Sequence, residues 1–254
     1  MNYSGIITYF LAIFVIAFVH STSFCFSEKA PYSTFAKDAT LAQPTEYYDY
    51  IIIGGGTSGC ALAATLSEGA KVLLLERGGL PYNYPNINHI QGFASTLLDV
   101  SPSSPSQPFI STDGVFNHRG RVLGGGSALN AGFFSRASDE YVKRVGWYQS
   151  LVNESYEWVE RKVAFRPSML SWQTAVRDGL LEAGVLPDNG FTFEHLIGTK
   201  FGGTIFDENG HRHTAADLLE YADPRMINVH LFATVHQILF QTTKGKLFTS
   251  IVNC

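Results

Sequence analysis

An apolar, β-branched run, Tyr50-Ile51-Ile52-Ile53, passes without a break into Gly54-Gly55-Gly56-Thr57-Ser58-Gly59. The run predicts a buried parallel strand beginning at Asp49, and the glycines behind it stand at the spacing Gly-x-Gly-x-x-Gly. The Ala- and Leu-rich residues from Cys60 to Ser67 predict a helix, and Lys71-Val72-Leu73-Leu74-Leu75 predicts a second buried strand ending at Glu76. A glycine fingerprint alone is weak, but strand, turn, helix, strand and terminal acid in this order make a complete βαβ unit for a dinucleotide. In such a unit Gly54 allows the tight turn, Gly56 lets the backbone approach a pyrophosphate, and Gly59 lets helix and strand pack closely. The helix N-terminus then offers unpaired N–H groups and the positive end of its dipole to the phosphates. Glu76 is placed to accept hydrogen bonds from the adenosine ribose hydroxyls, which disfavours a 2′-phosphate. Cys60, a small residue on the packing face of the helix, reads as a buried hydrophobe.

The remaining composition narrows the class. With 254 residues, 45% hydrophobic and 16% charged, the chain has ordinary globular composition and can bury a core. A formal charge of -4 argues against a nucleic-acid partner. Residues 6–19 form an almost unbroken apolar run, of signal-peptide length and shorter than a membrane span. Small residues follow at Ser21, Ser23, Cys25 and Ser27, so residues 1–27 are expected to be a cleaved signal peptide, and the protein to enter the secretory pathway without a stable membrane span. The polar stretch 27–45 disfavours the competing reading, an uncleaved anchor. Cleavage leaves Cys60 and Cys254, too few for a disulfide framework. Asn153-Glu154-Ser155 is a glycosylation triplet consistent with that route.

NAD and FAD both use the βαβ unit, so a second motif decides between them. Residues Gly120-Arg121-Val122-Leu123-Gly124-Gly125-Gly126-Ser127-Ala128-Leu129-Asn130-Ala131-Gly132-Phe133-Phe134 describe a backbone brought close to a planar or anionic ligand, with Asn130 able to donate and accept hydrogen bonds. The segment resembles the first signature of the glucose-methanol-choline (GMC) flavin oxidoreductases, and the pairing points to FAD. Leu75-Glu76-Arg77-Gly78-Gly79, Ser111-Thr112-Asp113-Gly114-Val115, Ser135-Arg136-Ala137 and Gly202-Gly203-Thr204-Ile205-Phe206-Asp207 are similar to the plant branch that contains HOTHEAD-like proteins and mandelonitrile lyases. The resemblance covers about residues 48–240. It implies an α/β fold, a Rossmann-type FAD-binding domain that is incomplete, with part of an α+β substrate-binding domain. It also implies that Thr57, Ser58, Glu76, Arg77, Val122, Asn130, Ala131, Gly132, Phe133 and Val235 surround FAD, beside Gly54, Gly56, Gly59, Gly126 and Ser127 of the two glycine segments.

The expected organisation is a signal peptide over 1–27, a linker over 28–46 and the N-terminal part of the FAD-binding domain over 47–137. A helical and partial substrate-domain region follows over 138–225, then strands returning to the FAD domain and a divergent end over 226–254. Leu151, Val152, Tyr156, Val159 and Val163 fall at helical spacing, as do Trp172, Val176, Leu180 and Ala183, and the aromatics among them read as core. Asn209-Gly210 predicts a tight turn, and Thr214-Ala215-Ala216-Asp217 a capping box for a helix through Leu219. Asp139, Glu140, Lys143 and Arg144 read as a solvated face. His211 and His213 lack a third ligand nearby, so no metal is expected. Residues 229–231 and 235–240 predict strands that return to the flavin domain.

In the intact family a base near the flavin takes the hydroxyl proton of a small-molecule alcohol while its carbon gives a hydride to the flavin. The resemblance implies that the acting His-His or His-Asn pair lies in a C-terminal half with no counterpart here. None of His20, His89, His118, His195, His211, His213, His230 and His236 matches the catalytic position, so the catalytic residues stay unassigned. Three readings follow: the FAD-binding portion of an oxidoreductase acting on CH–OH groups of alcohols or hydroxy-fatty acids, the corresponding portion of a hydroxynitrile lyase, or a short non-catalytic product. Because a doubly wound flavin fold takes strands from both halves of a longer chain, the 254 residues alone are expected to expose apolar sheet edges and to be unstable.

Overall fold

The computed structural model describes residues 31–42, 46–243 and 246–253. The expected signal peptide, residues 1–27, lies outside the described residues, as does Cys254. The strands are β1 (Ala36–Asp38), β2 (Tyr50–Ile53), β3 (Val72–Leu75), β4 (Ser106–Ile110), β5 (Phe116–Gly120), β6 (Phe133–Phe134), β7 (Asp188–Phe191), β8 (Thr199–Phe201), β9 (Gly203–Thr204), β10 (Ile227–Leu231), β11 (Val235–Thr243) and β12 (Lys246–Asn253). The α-helices are α1 (Thr57–Leu66), α2 (Pro85–Asn88), α3 (Phe93–Leu98), α4 (Asp139–Arg144), α5 (Gln149–Val163) and α6 (Ser171–Glu182).

The centre is a parallel sheet in the order β1-β10-β3-β2, with Ala36, Val229, Leu74 and Ile52 in one row across it. An all-parallel sheet buries strands that are covered on both faces, and β3 is buried along its whole length. The strand β2 departs from the expected full burial: Tyr50 and Ile53 are each 48% exposed, because β2 is an edge strand among the described residues.

The helix α1 packs through small residues. Cys60, Ala63 and Ala64 are buried and share one core with Val72, Leu74 and Val229 of the sheet, and with Ala216, Leu218 and Leu219 of a 3₁₀ helix, Ala215–Tyr221. Burying each larger aliphatic side chain of this set contributes about 1.5–3 kcal/mol. The expected capping box opens that helix: the Thr214 hydroxyl accepts from the Ala216 N–H at 3.2 Å and the Asp217 carboxylate from the Thr214 N–H at 3.0 Å. The helix runs past Leu219 as expected, with a 3₁₀ hydrogen-bond pattern.

Three expectations are corrected. The linker expected over 28–46 contributes β1 to the sheet, and Tyr32 and Phe35 beside it are buried in the core. A three-residue strand with Lys37 at its centre is too short to show alternation. Second, β11 does not join the sheet but pairs antiparallel with β12. After β10 the Phe232 backbone turns through a φ of 57°, and the Phe232 and Ala233 N–H groups donate to the carbonyls of Gly78 and Glu76. The chain thus crosses the end of β3 and leaves in a new direction, with Val235 packed near Leu73 and Leu75. Third, of the two aromatics expected in the core, Tyr156 is only half-buried and Trp172 is not core. Trp172 is 76% exposed and α6 buries no residue, while α5 buries only Val163 outright. The helices themselves form where the spacing places them. Arg136, bonded to both carboxylate oxygens of Glu160 and to Glu194, ties the end of the FAD-binding segment to α5.

Candidate functional site: two glycine loops

Gly54 sits at a φ of 96° and donates its N–H to the Leu75 carbonyl at 2.8 Å, so the turn after β2 stays tied to the end of β3. A side chain at Gly59 would place its Cβ 2.0 Å from the Gly54 carbonyl oxygen, so glycine there lets the helix pack close to the strand and its turn. The second glycine segment packs against the first backbone to backbone. Gly124 donates to the Gly55 carbonyl at 2.7 Å, and a Cβ on Gly125 would stand 2.7 Å from the Gly56 Cα. Gly78 likewise leaves room for the Arg121 carbonyl.

Gly56 and Gly126 differ from these packed glycines, since a Cβ on either meets nothing within 4 Å. Thr57 and Ser58, which open α1, are exposed beside Gly56. The result is a shallow face of bare backbone, open on one side, where the unpaired N–H groups of a ten-residue helix begin. An extended, anionic dinucleotide fits such a face, and the residues present therefore fit FAD.

Glu76 is 5% exposed and holds the loop from below: its two carboxylate oxygens accept from the Gly55 and Gly78 N–H groups, each at 2.8 Å. Burial pushes its pKa up, and the two N–H bonds work against that rise. Each oxygen retains a lone pair for a ribose hydroxyl. Cys60 is fully buried, with its thiol 3.2 Å from the Gly55 carbonyl and its pKa pushed up to about 12 by desolvation, so it is an inert packing residue.

Of the other expected residues, Arg77 is exposed, and Val122 is fully buried and bridged to Gly79, so it holds the loop and offers no surface of its own. The Ser127 hydroxyl donates to the Gly124 carbonyl at 2.7 Å and accepts from the Ala215 N–H at 2.8 Å, locking the second loop to the capped 3₁₀ helix. Asn130 is exposed, Ala131 half-buried, and Gly132, at a φ of 84°, leaves room for the Phe206 ring. Phe133 projects outward, 87% exposed, from β6 where it pairs with Thr204 of β9. Val235 packs against Leu73 and Leu75 of β3, two residues beyond Ala233, whose N–H donates to the Glu76 carbonyl.

Arg212 escaped the sequence reading. It lies between the two histidines that drew attention, and it is buried beneath the second loop, donating to the carbonyls of Ile87 and Ser127 and to Asn130. His213 contacts Asp217 at 3.2 Å and Asp207 at 3.7 Å, which raises its pKa. A separate apolar groove of about 570 Å³, lined by Trp147, Tyr148, Leu151, Val152, Tyr156 and Val159, shares no residue with the glycine loops.

Residues 48–246 match the family described as GMC oxidoreductase. Protein HOTHEAD of Arabidopsis thaliana is 58% identical over 196 residues, covering 77% of this chain and 33% of the relative. An (R)-mandelonitrile lyase-like protein of the same plant is 57% identical over 212 residues, covering 82% of this chain and 38% of the relative. The chain thus spans between a third and two fifths of the length of these relatives. Among solved structures, pyridoxine 4-oxidase from Mesorbium loti shares the fold with a TM-score of 0.59 at 21% identity, over 81% of this chain and 48% of that one. Two glycine loops joined backbone to backbone on a parallel sheet, in a sequence of this likeness, place the chain in the GMC oxidoreductase family, of which it carries the N-terminal, FAD-binding region.

Proposed function

We propose that the protein to which this region belongs oxidises the CH–OH group of a small-molecule alcohol, with FAD held across the two glycine loops. The observation that carries this reading is the open face at Gly56 and Gly126, set between glycines that have no room for a side chain. In it the N–H groups of α1 receive the pyrophosphate, Glu76 receives the ribose with its remaining lone pairs, and Asn130, Ala131, Gly132 and Phe133 border the flavin. Bound FAD supplies the hydride acceptor. The apolar stretch at residues 6–19 supports delivery by the secretory route.

A second reading, a hydroxynitrile lyase that holds FAD without using it for redox chemistry, is favoured by the relative named lyase-like. One experiment separates the two. The native protein is purified, its flavin content is measured after denaturation, and it is then mixed anaerobically with a panel of primary alcohols and with mandelonitrile. Bleaching of the flavin by an alcohol supports the oxidoreductase. Cyanide release with the flavin still oxidised supports the lyase, and a protein without flavin defeats both.

A further inference from the structure

The guanidinium of Arg212 is 5% exposed and makes no ion pair among the described residues, an arrangement that is costly unless its hydrogen bonds serve something. Desolvation alone lowers its pKa, to about 10, so it remains a cation at neutral pH. Its Nε donates to the Ile87 carbonyl at 2.9 Å, and Nη1 donates to the Ser127 carbonyl at 3.2 Å and to Asn130 Oδ1 at 3.0 Å. The group also lies 4.5 Å over the Phe206 ring, the ring that Gly132 makes room for.

Asn130 Oδ1 accepts a second bond, from the Gly132 N–H at 3.0 Å. Both partners are obligate donors, so the amide has one orientation: its oxygen is taken by Arg212 and Gly132, and its NH₂ group, a pure donor, is left unused by them on an exposed residue. Without Arg212 a single N–H would hold the oxygen and the exposed amide could turn.

We propose that Arg212 is a positioning residue of the cofactor site, which fixes the Asn130 amide so that it presents N–H donors to FAD. This rests on the FAD reading given above. The fork of a guanidinium reaches the Ile87, Ser127 and Asn130 acceptors together, which the single ammonium of a lysine does not reproduce.

The test uses the native holoprotein and measures FAD affinity by flavin fluorescence, the visible flavin spectrum and the melting temperature. Four variants are compared: Arg212→Lys, Asn130→Ala, the two combined, and Asn130→Asp. Arg212→Lys and Asn130→Ala are each expected to weaken FAD binding roughly tenfold, and the double variant to fall within about twofold of the weaker single. Asn130→Asp keeps acceptors for Arg212 and Gly132 but offers FAD no donor. It is expected to melt no lower than the parent and still lose FAD affinity, which keeps the test decisive if Arg212→Lys fails to fold. Additive losses in the double variant, or parental FAD affinity in Asn130→Asp, overturn the positioning role. A parent protein that holds no FAD overturns the function reading instead, and this inference with it.

Discussion

The backbone N–H of Gly124 donates to the carbonyl of Gly55 across 2.7 Å, so two glycine segments far apart in sequence form one surface. The glycines themselves have no side chains with which to hold the shape of either loop. Each is held by the other, and by Glu76 and Ser127 beneath them.

This divides the glycines into two experimental classes. Gly125→Ala, at a φ of 56° and with its Cβ 2.7 Å from the Gly56 Cα, is expected to cost roughly 2–4 kcal/mol of stability. Gly56→Ala has open space around it and is expected to cost no more than about 1 kcal/mol, as a helix N-cap change. Its effect should appear as lost FAD. Denaturant titration alongside flavin content checks both, and a Gly56→Ala protein with full flavin would remove the pyrophosphate from that face.

Glu76→Gln is expected to destabilise the loop by about 1–3 kcal/mol, because the amide NH₂ must oppose either the Gly55 or the Gly78 N–H. Loss of flavin in Glu76→Ala therefore does not by itself prove a ribose contact, since the loop loses its support as well. The pH dependence has a definite sign. Burial raises the folded pKa, so this group's contribution to stability is full below its ordinary value of ~4.3 and falls as pH rises through the folded pKa. Removing the carboxyl should flatten that part of the stability curve.

His213 has its pKa raised first by its hydrogen bond to Asp217 and also by the charges of Asp217 and Asp207, with burial opposing. Its stabilising contribution is thus full below ~6.5 and is lost as pH rises through the higher folded value. Melting temperatures read from pH 6 to pH 9 should decline more steeply in the parent than in His213→Phe. Parallel curves would show that the Asp217 contact contributes nothing to folding.

The Cys60 thiol, with its pKa near 12 and no exposed surface, should resist a thiol reagent at pH 8 in the native protein and react only on unfolding. Peptide mapping after timed labelling with iodoacetamide reads this directly. Rapid native labelling at Cys60 would mean that α1 opens.

Trp172→Ala is expected to change stability by less than about 0.5 kcal/mol, since the ring is 76% exposed. A loss of several kcal/mol in the native protein would mean that another part of the protein covers α6.

The sequence made legible whatever depends on local pattern. The βαβ unit, the capping box at Thr214 and Asp217 and the helical spacing of α5 and α6 all appear where the residues place them. Periodicity identifies the apolar face of a helix but not its neighbour, so it predicts a core position for Trp172, which nothing described covers. β1 carries no pattern of its own and is a strand only because Val229 offers Ala36 a partner. Arg212 has meaning only through atoms that are distant in sequence, at Ile87, Ser127 and Asn130, and no spacing rule leads to it.

The strand order β1-β10-β3-β2 also sets a schedule for the growing chain. Ala36–Asp38 leaves the ribosome early, yet its partner is Ile227–Leu231, made almost two hundred residues later. Until then β2, α1 and β3 have one side of their sheet open, and the first strand has nothing to join. Such long-range pairing is slow, because the loop must close before its contacts reward it. From the synthesis of Leu75 until that of Ile227 the Val72–Leu75 edge therefore lacks β10, and such an unpaired edge is open to wrong pairing with other chains.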